Sequence, residues 1–473
     1  MPQSAAPEMM SLLEHGDRED GAVPNKGARQ SPRTYDVDET EVTATNPVTC
    51  LLHLLTFLLM CVVLRTLLLL GMFDGDLITP TLILILVCGG VSVLVDMVWC
   101  KVHHRASTGL DWTKFNPSLS RSLVKLVGLT GSFSVLFFLY WVLPEYSNGD
   151  YYNTYYDMLW GVLPVCAPLA AVYVYYVDGY MREPRDGFYH AGLMTLGRVE
   201  NVNFPVLSQH ALSWLVKGFF TPLMFVPLCK DVQDLLTINF NDLETWGDTF
   251  GWVYSFLYFT DLHFACIGYI FTFRLVDTHV RAAEGSLFGW VVALMCYAPI
   301  NTVTGYYFVY GSDTEWGAWL EDTPVLAIFW GSAILLLTLL YTVSTVFFGL
   351  RFSNLTNRGI ITAGPYAFTK HPAYLCKNLS WWLVSIPFVS SDGWQTAVRK
   401  CLGLLFFNGI YLLRAKAEEA MLASDPVYAK YSRQMDRQGM FAGVSALMRR
   451  IPVLQGVVGL PTSNHGKTGR DEE

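Results

Sequence analysis

Charged side chains are what this chain has least of. Among its 473 residues, 15% are Asp, Glu, Lys or Arg and 52% are hydrophobic, where a soluble protein carries about a quarter charged residues. An ordinary water-soluble domain is thereby excluded. No basic tail or patch is present, which removes the electrostatic footprint of a nucleic-acid partner. The ten cysteines form no C-x-x-C and no Cys/His metal spacing. Cys61, Cys88, Cys100, Cys166, Cys266 and Cys401 lie mostly in apolar runs and read as small buried hydrophobes, so neither a disulfide framework nor a metal centre is expected. A phosphate-binding Gly loop, a nucleophile motif and an internal repeat are likewise missing.

What is there is hydrophobic length. The mean hydropathy is +0.33, and apolar runs of membrane-spanning length recur. They predict an all-α polytopic membrane protein of about ten spans, near 48–72, 78–100, 122–144, 158–177, 211–229, 250–273, 287–311, 323–350, 373–389 and 401–413. The last two are too short to cross independently and read as a tight hairpin leaning on its neighbours. Residues 1–46 are polar and aperiodic and are expected to form a disordered cytoplasmic tail without a cleaved signal. The remainder divides into an eight-helix membrane region at 47–350, a C-terminal region at 351–441 and a second tail at 442–473.

The loops alternate in charge. One set, at 101–121, 178–210, 274–286 and 351–372, carries Lys101, Arg105, Arg121, Arg182, Arg274, Arg281, Arg351 and Arg358 among others. The other set is acidic, with Asp74, Asp76, Glu145, Asp150, Asp242 and Asp313. Lys and Arg are retained on the cytoplasmic side, so both termini are expected there. Asn354-Leu355-Thr356 matches a glycosylation pattern, but on this topology it faces the cytoplasm and stays unmodified.

At that face lies GPYAFTKHPAYLCKN, residues 364–378. Gly364-Pro365 forces a turn, and His371-Pro372 opens a helix, with Pro372 tolerated at its first position. Tyr366 and Tyr374 combine an apolar ring with a polar tip, as suits the interface. The bland reading is an aromatic belt at a helix start. Beyond the hairpin, Arg414 and Glu418 stand four apart on one helical face, Ser424-Asp425-Pro426 ends that helix, and Asp425 caps the next. The bland reading of Arg414, Glu418 and Glu419 is a solvated helix end. The two stretches together form a much rarer combination.

On these residues, 358–437 resembles the C-terminal signature of the isoprenylcysteine carboxyl methyltransferase and phospholipid methyltransferase superfamily of membrane enzymes. The resemblance is carried by Gly364-Pro365-Tyr366, Lys370-His371-Pro372-x-Tyr374, Arg414 and Glu418-Glu419, with Leu422, Tyr428, Tyr431 and Arg437 beyond. It implies a pocket for S-adenosylmethionine open to the cytoplasm and a membrane lipid or lipidated substrate arriving sideways from the bilayer. Gly364, Pro365, Tyr366, His371, Pro372 and Tyr374 would line the cofactor pocket, and Glu418 or Glu419 would meet the cofactor's cationic amino or ribose groups. Arg414 would organise that acid or hold a substrate anion, which makes Arg414 and Glu418 the catalytic pair. The family usually has Arg where Lys370 stands and Gly where Cys376 stands.

Elsewhere, polar residues inside apolar runs are the only clues. Depth along the helices allows an Arg65–Asp261 pair but not Arg65–Asp96. Asp261 and His263 are candidate substrate residues, since intramembrane charges default to functional suspects. Asp96 and Lys217 suit snorkelling, and Asn301, Thr302 and Thr304 suit bonds between helices. Asp277 and His279 read as a satisfied loop cluster or the border of a headgroup site. Two other functions stay open: a membrane reductase resembling the sterol reductases, which the span count suits, or a silent transporter or binding protein on the same scaffold, with which the buried charges are compatible. Neither accounts for the adjacent glutamates as directly.

Overall fold

The computed structural model describes residues 43–311 and 315–443. The two expected tails, apart from the few residues 43–46 and 442–443, lie outside the described residues, as does Asp313. Numbering the α-helices of eight residues or more gives α1 Pro47–Leu69, α2 Ile78–Val98, α3 Leu119–Val142, α4 Asn153–Tyr180, α5 Gly187–Thr195, α6 Phe204–Leu236 and α7 Trp246–Ile270. There follow α8 Leu287–Leu294, α9 Ile300–Tyr307, α10 Pro324–Val346, α11 Pro372–Ser385, α12 Trp394–Leu422 and α13 Pro426–Gln438. A two-residue pairing of β1, Ala282–Ala283, with β2, Thr356–Asn357, is antiparallel.

Local chemistry sets the helix starts. Asn46 caps α1 with Pro47 at its first position, Ser118 caps α3, and Thr245 with Asp248 forms a capping box on α7, each satisfying amides that have no intrahelical partner. Seven of the helices, α1, α2, α3, α4, α6, α10 and α12, are long and apolar enough to cross a membrane. Outward-facing Leu59, Val62, Trp141, Leu169 and Phe329 are exposed, as expected of surfaces solvated by lipid. The main core lies between α1, α2, α6 and α7, where Phe57, Leu64, Leu84, Phe225, Leu228 and Phe259 are fully buried.

Several expectations change. The run at 287–311 is not one span: it breaks between α8 and α9 at Met295–Pro299. The last span is not short, because α12 continues on both sides of the apolar run for 29 residues in all. The polar C-terminal end of α12, including Arg414 and Glu418, packs against protein and so needed no apolar letters. The loop at 178–210 contains α5, which crosses α3 so closely that a Cβ on Gly192 would lie 1.9 Å from the Val124 carbonyl oxygen; small residues permit such contacts. Finally, Arg65 does not pair with Asp261. Its guanidinium donates to the Leu236 carbonyl at 2.6 Å and lies 4.3 Å from the Phe240 ring centre.

The basic loops converge on one end of the bundle. Asp277 is fully buried, with Arg281 at 3.0 Å, Arg351 at 3.1 Å and Arg105 at 3.8 Å. Burial opposes its charge, yet Arg351 and Arg281 hold the carboxyl below the usual carboxylate range. Arg358, 2% exposed, donates to the carbonyls of Thr278 at 2.7 Å, Phe352 at 2.9 Å and Phe271 at 3.0 Å, and also to that of Gly268. Asp277 is therefore a satisfied structural hub, not a headgroup site. Among the described residues, the Thr302 and Thr304 hydroxyls bond to residues 300 and 301 of their own helix, not across helices.

Candidate active site

The Gly364 turn is built as its letters require. Gly364 has φ +63°, and a Cβ there would lie 2.4 Å from the Phe347 ring. Glycine is demanded by conformation and by space alike. Pro372 then opens α11, with His371 at its cap position. The next face of α11 presents Tyr374 and Lys377, and the last turns of α12 present Arg414 and Glu418 opposite them.

These groups border one open cavity of about 1140 Å³, mouth included. Arg414, 4% exposed, sits at its centre. Its Nε is 3.4 Å from Glu418 Oε1, and its Nη2 donates to Asn354 Oδ1. The guanidinium carbon is 5.0 Å from the Tyr374 ring centre and 5.6 Å from that of Tyr297. The Tyr374 hydroxyl donates to Glu418. His371 stacks parallel to Tyr374 at 5.6 Å and reaches Glu419 through Nε2 at 3.2 Å. Lys416 holds the other Glu419 oxygen at 2.8 Å.

Of the catalytic and cofactor-binding residues expected from sequence, Tyr366, His371, Tyr374, Arg414 and Glu418 line the cavity, as do Leu422, Tyr428 and Tyr431 of the resemblance. Gly364 and Pro365 shape the turn behind it, Pro372 starts α11, and Glu419 acts one step back through His371. Asp261 and His263 are not brought into it. Asp261 accepts from the hydroxyls of Tyr341 and Thr345, which themselves line the cavity. His263 turns the other way, towards Phe57 of α1.

The two departures from the family pattern behave differently. Cys376 is buried and is not among the lining residues, so its extra bulk leaves the cavity unobstructed. Lys370 lines the cavity and pairs with Asp436 of α13 at 2.8 Å, a single contact that does not need a guanidinium fork. Helix α13 is held over this side by that pair and by the Tyr431 hydroxyl, which donates to the Tyr366 carbonyl at 2.7 Å. Asp425 caps α13 and also accepts from Asn357 at 2.9 Å.

Sequence reasoning missed Asn354, Tyr297, Tyr341, Lys377 and Tyr411. Asn354 is 6% exposed and donates to the hydroxyls of Tyr269 and Tyr297 at 2.9 and 3.0 Å; burial alone keeps it from glycosylation. Lys377 carried a usable signal, since it lies three residues after Tyr374 and shares its helical face. Its ammonium is 5.1 Å from the Tyr341 ring centre and 5.6 Å from that of Trp381. Tyr297 carried none, because it sits in the break between α8 and α9.

The comparisons agree with the site's position. Residues 325–424, about a fifth of the chain, match the model of the isoprenylcysteine carboxyl methyltransferase (ICMT) family. That segment spans α10, α11 and α12, and so contributes most of the cavity wall. Searches of curated proteins and of solved structures return no match.

Proposed function

We propose that the chain is an S-adenosylmethionine-dependent methyltransferase acting on a lipid or lipidated acceptor drawn from the bilayer. The observation that carries this reading is the convergence of Glu418, Arg414, Tyr374 and His371 on one cavity inside the matched segment. The donor set fits the cofactor: the Glu418 carboxylate and the faces of Tyr374 and Tyr411 suit its cationic groups, and the cavity is open at its mouth to an incoming ligand. When bound, S-adenosylmethionine supplies an activated methyl group.

The protein's part is orientation and exclusion of water, which dominate a displacement whose charge disperses. Arg414 fixes Glu418 from one side and Tyr374 fixes it from another, so the carboxylate is set before any ligand arrives. His371 is steadied by Glu419 and by its stack on Tyr374. Phe348, Phe352, Leu355 and Met421 form an apolar wall suited to the lipid portion of an acceptor. The basic end of the bundle faces the cytoplasm on this reading, with both termini there, so a soluble cofactor reaches the cavity directly. Residues 351–441 act as the cofactor region, and 47–350 as the membrane body that supports it.

Thermal unfolding of the purified chain in detergent tests the reading. S-adenosylmethionine and its demethylated product should each raise the midpoint, and NADPH should not. Stabilisation by NADPH alone would overturn the proposal in favour of a reductase.

A further inference from the structure

Outside the cavity lining, three helices of the membrane body bring together His53 of α1, Cys88 of α2 and His263 of α7. One donor atom from each lies within 4.8 Å of the others. Their exposures are 2%, 0% and 0%. Among the described residues, none of the four imidazole nitrogens of His53 and His263 has a hydrogen-bond partner. Leaving a single buried polar group unpaired is costly, and two adjacent imidazoles with all their nitrogens unpaired are rarer still. Their surroundings are apolar: the Phe264 ring is 4.2 Å from His53, and the Phe57 ring is 4.4 Å from His263.

We propose that His53, Cys88 and His263 form an intramembrane site for a single soft metal ion, monovalent copper. Thiolate and imidazole together select soft or borderline ions. Charge then decides between them. One thiolate and two neutral imidazoles cancel a monovalent cation, whereas a divalent ion would leave a net positive charge in the hydrocarbon layer, which is costly. A three-coordinate ion with bonds of about 2.0–2.3 Å needs donors roughly 3.5–4 Å apart, so the helices need to close by only about 1 Å. Binding displaces the thiol proton of Cys88: one proton leaves for each ion bound, the sulfur–metal bond replaces the S–H bond, and no electron is transferred.

His53 also borders a small cleft at the basic-loop end, together with Thr49, Cys50, Ser92 and Asp96. Cys100 lies beside it, 3.6 Å from the Thr49 hydroxyl. Asp96 and the two thiols thus offer further donors on that side of the site. The separation of the three ligands in sequence, 35 and 175 residues, explains why no spacing motif announces them.

Anaerobic titration of the full-length purified protein with monovalent copper, against a chromophoric chelator, tests the site. One equivalent should bind, with one proton released. Cys88→Ala and His53→Phe should each weaken binding about 100-fold or more, while the copper-free unfolding midpoint moves little, since both replacements suit an apolar slot. X-ray absorption of the loaded wild-type protein should show two nitrogens and one sulfur, a readout independent of how the variants fold. Failure to compete with the chelator, binding untouched by the substitutions, a shell without sulfur, or preference for zinc over copper would each overturn the proposal.

Discussion

At the scale of single residues the cavity depends on groups that are both buried and polar, so conservative changes are informative. Glu418→Gln keeps the shape and removes the charge. It should weaken S-adenosylmethionine about ten- to hundredfold, a loss of about 1.5–3 kcal/mol, measured by calorimetry. His371→Ala should weaken it similarly, with the unfolding midpoint of the ligand-free protein unchanged. Unaltered affinity in both variants would refute the pocket assignment. Gly364→Ala is a different kind of change: the left-handed backbone and the Phe347 contact together should cost about 2–4 kcal/mol of stability. Arg358→Met should cost about 3–5 kcal/mol, because three buried carbonyls and a part-buried one lose their donor.

Helical elements explain which residues could be read in advance. Gly364, Pro372 and Asp425 were legible because each has a local job: a turn, a first helical position, a cap. Tyr374, Arg414 and Glu418 were legible through a family resemblance and an i,i+4 spacing. Tyr297 and Asn354 were not, since each reaches the cavity from a break or a loop whose position is set by packing alone. Packing likewise hid the C-terminal extent of α12. A hydropathy window reads lipid-facing letters and is blind to helix that is covered by protein. At this scale Asp425→Ala should cost about 1–2 kcal/mol and free α13 from Asn357. Hydrogen exchange along α13 should rise, while exchange in α10 stays as it was.

For the whole molecule, charge is the organising quantity. The alternation of basic and acidic loops predicted two faces, and the basic loops do gather at one end around Asp277. The folded-state carboxyl of Asp277 lies below its ordinary value, so its contribution to stability is complete above that value and is lost as pH falls through the depressed one. The unfolding midpoint in detergent should therefore hold steady from about pH 8 to about pH 5 and decline below about pH 4. Asp277→Asn should lower the midpoint at neutral pH and flatten the acid decline. For orientation, a glycosylation acceptor inserted near residue 149 should be modified in microsomes and one near residue 113 should not.

The pairing of β1 with β2 has a further consequence, together with the grip of Arg351 on Asp277 and of Arg358 on the end of α7. These anchors of residues 351–358, inside the family-matched fifth, are sunk into the preceding two thirds of the protein. Asn354 repeats the pattern at the cavity, where it needs hydroxyls from α7 and from the break after α8. The matched segment is therefore not a cartridge that could be cut out, expressed alone or grafted onto another membrane body. Residues 324–443 produced separately should fail to fold, and recovery should require co-expression with residues 1–323.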